Sequence, residues 1–92
     1  MTGNDYLISI KNELETKYNI KVKKIDNEIK FEYGTHKIHI YALKYALIQM
    51  EEGQERNHTI PIMMSSTDDF MIAHLKTNYF EKKGQMSIFD FI

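Results

Sequence analysis

The chain has 92 residues, 42% of them hydrophobic and 27% charged, with a formal net charge of -1. That is one small domain's worth of sequence, able to bury a modest single core. The near-neutral balance excludes a generic polyanion binder, and the absence of any apolar run of about 18 residues excludes a transmembrane helix. There is no cysteine, hence no disulfide framework and no thiolate metal site, which fits a reducing cytoplasm. Met1 to Asp5 lacks a basic stretch followed by an apolar one, so no secretory signal peptide is expected.

Helical spacing comes first. Leu7, Ile10 and Leu14 recur at i, i+3 and i+7, flanked by Tyr6 and Tyr18, with Asn4 as N-cap and Asp5 beside the positive helix end. A helix is expected from about Asp5 to Tyr18. The period then drops to two. Ile20 and Val22, then Ile29, Phe31 and Tyr33, then Ile38 and Ile40 alternate with polar residues, punctuated at Asp26-Asn27 and Gly34-Thr35. This predicts three antiparallel strands with one apolar and one wet face. Helical spacing returns at Ala42, where Leu43, Ala46, Leu47 and Met50 share a stripe and Gly53 supplies a stop. Thr59 to Met64 reads as a fourth strand, placed on an edge or made irregular by Pro61. Ser65 to Asp69 reads as a helix start, and Phe70, Met71, Leu75 and Tyr79 continue the helix to about Lys83, with Gly84 as its stop.

The expected fold class is therefore α+β: a small single domain (1–84) with a three- to four-stranded antiparallel sheet packed against helices. The order is α-β-β-β-α-(β)-α with a C-terminal peptide tail (85–92). Leu7, Ile10, Leu14, Ile29, Phe31, Ile38, Ile40, Leu43, Leu47, Met71 and Leu75 are the predicted core.

Chemistry-bearing constellations are sparse. His36 and His39 fall on opposite strand faces, and His58 and His74 lie apart in sequence, so no metal-ligand spacing emerges. Adjacent Asp68 and Asp69 diverge by about 100° on a helix and read as capping acids rather than a catalytic pair. No nucleophile elbow and no glycine-rich phosphate loop is present. The expectation is a non-enzymatic protein without metal or organic cofactor. Lys21, Lys23, Lys30 and Lys37, interleaved with Tyr33, make a candidate nucleic-acid surface; the bland alternative is a solvated sheet face whose lysines block edge pairing. The α-β-β-β-α order resembles the element order of double-stranded-RNA-binding domains. The basic signature at the start of that family's second helix is missing, since Ala42-Leu43-Lys44-Tyr45 holds one lysine.

The tail says more. Gln85-Met86-Ser87-Ile88-Phe89 resembles the sliding-clamp-binding motif of bacterial replication and repair proteins, Gln-Leu-Ser/Asp-Leu-Phe. Gln, Ser and Phe match outright, and Met86 and Ile88 replace leucines. The resemblance covers five to eight residues and implies nothing about the fold of the rest. It implies that Gln85 enters a small polar pocket of the clamp while Met86, Ile88 and Phe89 fill apolar ones. Gln85, Ile88 and Phe91 at i, i+3 and i+6 also resemble the clamp-interacting box of eukaryotic and archaeal proteins, but Ile92 stands where its second aromatic belongs. The alternative is a last strand packing Met86, Ile88 and Ile92 onto the domain.

Residue usage is rich in Ile, Lys, Asn, Tyr and Met, with a single arginine, Arg56. That resembles AT-rich genomes such as those of low-GC Gram-positive bacteria, their phages and plasmids. The functional expectation is a cytoplasmic accessory or inhibitory protein, of phage or mobile-element type, that binds the bacterial sliding clamp through its tail. The other readings are inhibition of a host defence nuclease by protein–protein contact, and a small nucleic-acid-binding module.

Overall fold

The computed structural model describes residues 2–62 and 66–81. Helix α1 (Gly3–Lys17) opens on a capping box: the Asp5 amide donates to Thr2 Oγ1 at 3.3 Å and the Thr2 amide to Asp5 Oδ2 at 2.8 Å. The predicted cap, Asn4, is instead the second residue of the helix. Thr2 and Asp5 are three apart and satisfy two backbone donors reciprocally, whereas Asn4 would satisfy one. The Thr2 amide, and with it the Thr2 hydroxyl, donates to the Asp5 carboxyl and holds it below its usual range. Asn19, in the left-handed region at φ 54, ends the helix where a residue without strong branching is tolerated.

Five strands follow: β1 (Val22–Ile25), β2 (Glu28–Tyr33), β3 (His36–Ala42), β4 (Ala46–Glu51) and β5 (Asn57–Pro61). They pair in sequence order, each antiparallel to the next. The two-residue turns at Asp26-Asn27 and Gly34-Thr35 lie where the sequence puts them, with Asp26 at φ 49 and Gly34 at φ 61. Helix α2 (Thr67–Leu75) then crosses back, and a single π-helical turn, η1 (Lys76–Phe80), continues it. Met63, Met64, Ser65, Lys82, Lys83 and Gly84, used in the sequence reading, lie outside the described residues.

The architecture is α+β, with five strands rather than three or four. The discrepancy is the segment read as a helix from Ala42. Leu43, Lys44 and Tyr45 form a hairpin turn closed by the Leu43 amide on the Ala46 carbonyl at 2.8 Å, and β4 runs between β3 and β5. Apolar residues at 43, 46, 47, 48 and 50 satisfy a helical period and a strand period about equally well. Tertiary pairing decides: β4 hydrogen-bonds both its neighbours, and without it β5 has no place in the sheet. Leu43, predicted as core, is consequently 53% exposed, and Tyr45 beside it is 72% exposed. The likeness to double-stranded-RNA-binding domains falls with the same correction, because the position of that family's second helix holds a strand. Gly53, at φ 85, turns the chain from β4 towards β5 rather than stopping a helix.

Both helices pack on one face of the sheet. Leu7, Ile10 and Leu14 of α1 and Met71, Ile72 and Leu75 of α2 meet Ile29, Phe31, Ile38, Ile40, Leu47 and Ile60, all buried. Every predicted core residue except Leu43 is among them. Ser9 of α1 donates to Asp68 of α2 at 2.6 Å, so the acid expected only to cap a helix also joins the two helices. Among the described residues no helix covers the opposite face, and none is long and apolar enough to cross a membrane.

Candidate functional site

Three regions bear on function. The tail residues Gln85, Met86, Ser87, Ile88, Phe89 and Phe91 lie outside the described residues, so their reading rests on the sequence.

The second region is the open sheet face. Lys21, Lys23, Lys30 and Lys37 line one shallow depression of about 520 Å³, so the fold gathers all four. Glu32 and Glu52 line it too. Glu32 stands opposite Lys37 in the β2–β3 register, which offsets charge at that end. One rung further, Lys23 is directly opposite Lys30 with no carboxylate within ion-pair distance of either among the described residues. Tyr33 is not part of this surface. Its side chain lies on the helix-covered face, against Phe80 at 4.8 Å between ring centroids. The aromatic beside the lysines is Tyr41, near His39, whose Nδ1 is 3.0 Å from Glu28 Oε2. A hydrogen bond to Glu28 raises the Tyr41 hydroxyl above its usual pKa.

The third region was hidden in the sequence. On the covered face, the register sets Ile40 beside Gln49 and Gln49 beside His58, with Glu51 beside Ile38. At this end of the helix–sheet layer the apolar packing gives way to a directed hydrogen-bond chain. The Asn78 amide is 3.0 Å from His74 Nδ1; His74 Nε2 lies 2.8 Å from Gln49 Oε1; Gln49 Nε2 donates to the Tyr79 hydroxyl at 3.2 Å; Tyr79 donates to Glu51 Oε1 at 2.9 Å. From the other side His36 Nδ1 meets Glu51 Oε2 at 2.7 Å. Each donor finds an acceptor only if His74 is neutral, carries its proton on Nε2 and accepts at Nδ1. The electrostatics agree. Burial, with His58 nearby, lowers the His74 pKa from 6.5 to about 4. The bond from His36 holds the Glu51 carboxyl below its usual range, and burial raises the Tyr79 hydroxyl.

Sequence spacing suggests why this cluster was missed. Gln49 and Glu51 follow Leu47 at period two and so share its face, a relation that a helical reading of the segment conceals. Tyr79 and Asn78 reach the sheet from η1. The wider π turn sends Tyr79 to Gln49 and Glu51 while Phe80 packs on Tyr18 and Tyr33. His36 and His39 do point to opposite faces, as strand geometry requires. His58 and His74, distant in sequence, stack with centroids 3.7 Å apart and planes 4° from parallel. The chain of bonds floors a groove of about 450 Å³ whose mouth carries Arg56, Asn57 and His58. Among the described residues no group of three or more His, Asp or Glu is gathered to hold a metal ion.

Compared with known proteins, the chain matches no family model, no curated protein and no solved structure.

Proposed function

We propose that this chain is a small accessory or inhibitory protein, of phage or mobile-element type, that docks on the bacterial DNA sliding clamp through Gln85-Met86-Ser87-Ile88-Phe89. The observation that carries this reading is the peptide itself: a glutamine three residues before two adjacent bulky apolar side chains. Ile88 and Phe89 would each gain about 1.5–3 kcal/mol on burial in an apolar cleft, less the cost of ordering an extended peptide. Gln85, with both a donor and an acceptor, fixes the register. A short peptide of this kind, which must be ordered on binding, binds in the micromolar range. The described core lends support. It forms a continuous helix-covered layer from Tyr6 to Leu75, a body on which a recognition peptide can be carried. On this reading the protein works where the clamp does, in the bacterial cytoplasm, and needs neither a catalytic group nor a cofactor of its own.

The test is clamp binding by the full chain, with Ile88→Ala and Phe89→Ala combined. The double variant is expected to lose binding while its melting temperature stays within about 2 °C of the parent, a shift worth under about 0.5 kcal/mol in a domain this size. Undiminished binding, or a collapse of stability, would refute the reading.

A second reading, a nucleic-acid module on the open face, is favoured by the unpaired apposition of Lys23 and Lys30. Its signature is retention on DNA or RNA that falls steeply with salt and is lost on Lys23→Ala with Lys30→Ala.

A further inference from the structure

The polar groove has a chemical bias that the hydrogen-bond chain exposes. On its floor the acceptors of Glu51, Gln49 and His74 are engaged. Both Glu51 oxygens receive bonds, from Tyr79 and from His36; Gln49 Oε1 receives one from His74; His74 Nδ1 receives one from Asn78. The mouth carries a fixed cation, Arg56, beside side-chain amides of Gln54, Asn57 and Asn78 that both donate and accept. Arg56 has no carboxylate within ion-pair distance among the described residues. His58 is exposed and held flat by its stack on His74. His36 lies at the same mouth, with Nδ1 engaged by Glu51 and its side chain 43% exposed. These three come from separate elements: β3, the β4–β5 loop and β5. They line one groove of about 450 Å³, a size suited to a small ligand. Arg56 is the sole arginine among 12 basic residues, and its planar fork of donors matches phosphate oxygens in a way a lysine does not.

We propose that this groove is a binding site for a phosphate monoester, with Arg56 and His58 as the principal contacts and His36 as a third. The locked carboxylate of Glu51 acts on His36, holding the imidazole in place rather than meeting the ligand. This site shares no residue with the tail peptide or with the lysines of the open face, so it stands or falls independently of clamp binding.

A phosphate monoester has two evident sources, a free mononucleotide and the 5′ end of a phosphorylated strand. The experiment titrates the full-length protein at low ionic strength, by calorimetry and by amide chemical shifts. Its probes are a deoxynucleoside 5′-monophosphate, a 5′-phosphorylated DNA oligonucleotide, the same oligonucleotide with a 5′-hydroxyl, and inorganic phosphate. Saturable binding is expected with shifts at Arg56 and His58. The phosphorylated strand or the mononucleotide should bind at least tenfold tighter than the hydroxyl strand. A preference between those two identifies the source. Arg56→Ala should weaken binding tenfold or more without changing the melting temperature, and Lys23→Ala with Lys30→Ala should leave phosphate discrimination intact. Equal binding of phosphorylated and hydroxyl strands, binding of inorganic phosphate alone, no binding of any probe, or an unaffected Arg56→Ala protein would overturn the proposal.

Discussion

The two ends of one helix–sheet layer are built on the same alternation and do different things. At one end Leu47, Ile40 and Ile60 meet Leu7, Ile10 and Met71, all buried and all apolar. At the other, on the same face of the same strands, Gln49, Glu51 and His36 meet His74 and Tyr79. The apolar end gains stability in proportion to area removed from water. The polar end trades water bonds for internal ones and gains little net, about 1 kcal/mol per bond at best. A domain this small has little stability to spare, so a buried Gln49, 4% exposed, at a position where leucine would pack, marks a place where something besides stability is at work.

The largest effect that tests this contrast lies at the apolar end. Leu47→Ala leaves a cavity where nothing is exposed and should cost about 3–4 kcal/mol in denaturant unfolding. A loss under 1 kcal/mol would show that the layer does not depend on this packing. At the polar end Gln49→Leu should cost less, about 1–3 kcal/mol, because it leaves the His74 Nε2–H without its acceptor. Adding His74→Leu should recover part of that loss, since both partners are then apolar. If the double variant were no better than Gln49→Leu alone, the chain of bonds would not be the unit described here.

A third test is pH. His74 takes up its proton at about 4 in the folded protein and near 6.5 when unfolded. Between those values the unfolded chain binds more protons, so stability is full above about 6.5 and falls as pH drops towards 4. Glu51, whose pKa is also depressed on folding, adds its own loss at the acid end, as pH falls from about 4.5 through its folded value. Unfolding midpoints measured from pH 7.5 to 4 should show this slope, and His74→Gln should flatten the part above pH 4.5. An unchanged slope in that variant would mean another group titrates. The smallest effect belongs to the corrected turn: Tyr45→Ser, at an exposed hairpin position, should change stability by less than about 0.5 kcal/mol. A loss of 2 kcal/mol or more would contradict the exposure assigned to it.

The apolar end was readable in advance and the polar end was not, for a physical reason. Leu7, Ile10 and Leu14 at helical spacing and Ile29, Phe31, Ile38 and Ile40 at period two announce their burial individually, as do the turns at Asp26-Asn27 and Gly34-Thr35. Met50 and its neighbours carry no such mark, because apolar residues at consecutive and i+3 positions fit two periods. That ambiguity moved β4 into a helix and put Leu43 in the core. It also concealed that Gln49 and Glu51 share a face with His36. The stack of His58 on His74 joins β5 to α2, and no local pattern announces a contact that only tertiary packing creates. The proposed clamp-binding peptide is the reverse case: its reading rests on the linear sequence alone.

The proposed function is tested most directly by titrating purified bacterial sliding clamp with the isolated peptide Gly84 to Ile92 beside the full-length chain. Saturable micromolar binding by the peptide is predicted, with competition between peptide and full chain for the same site and a loss of at least about 1 kcal/mol on Gln85→Ala. Binding by neither one would contradict the proposal.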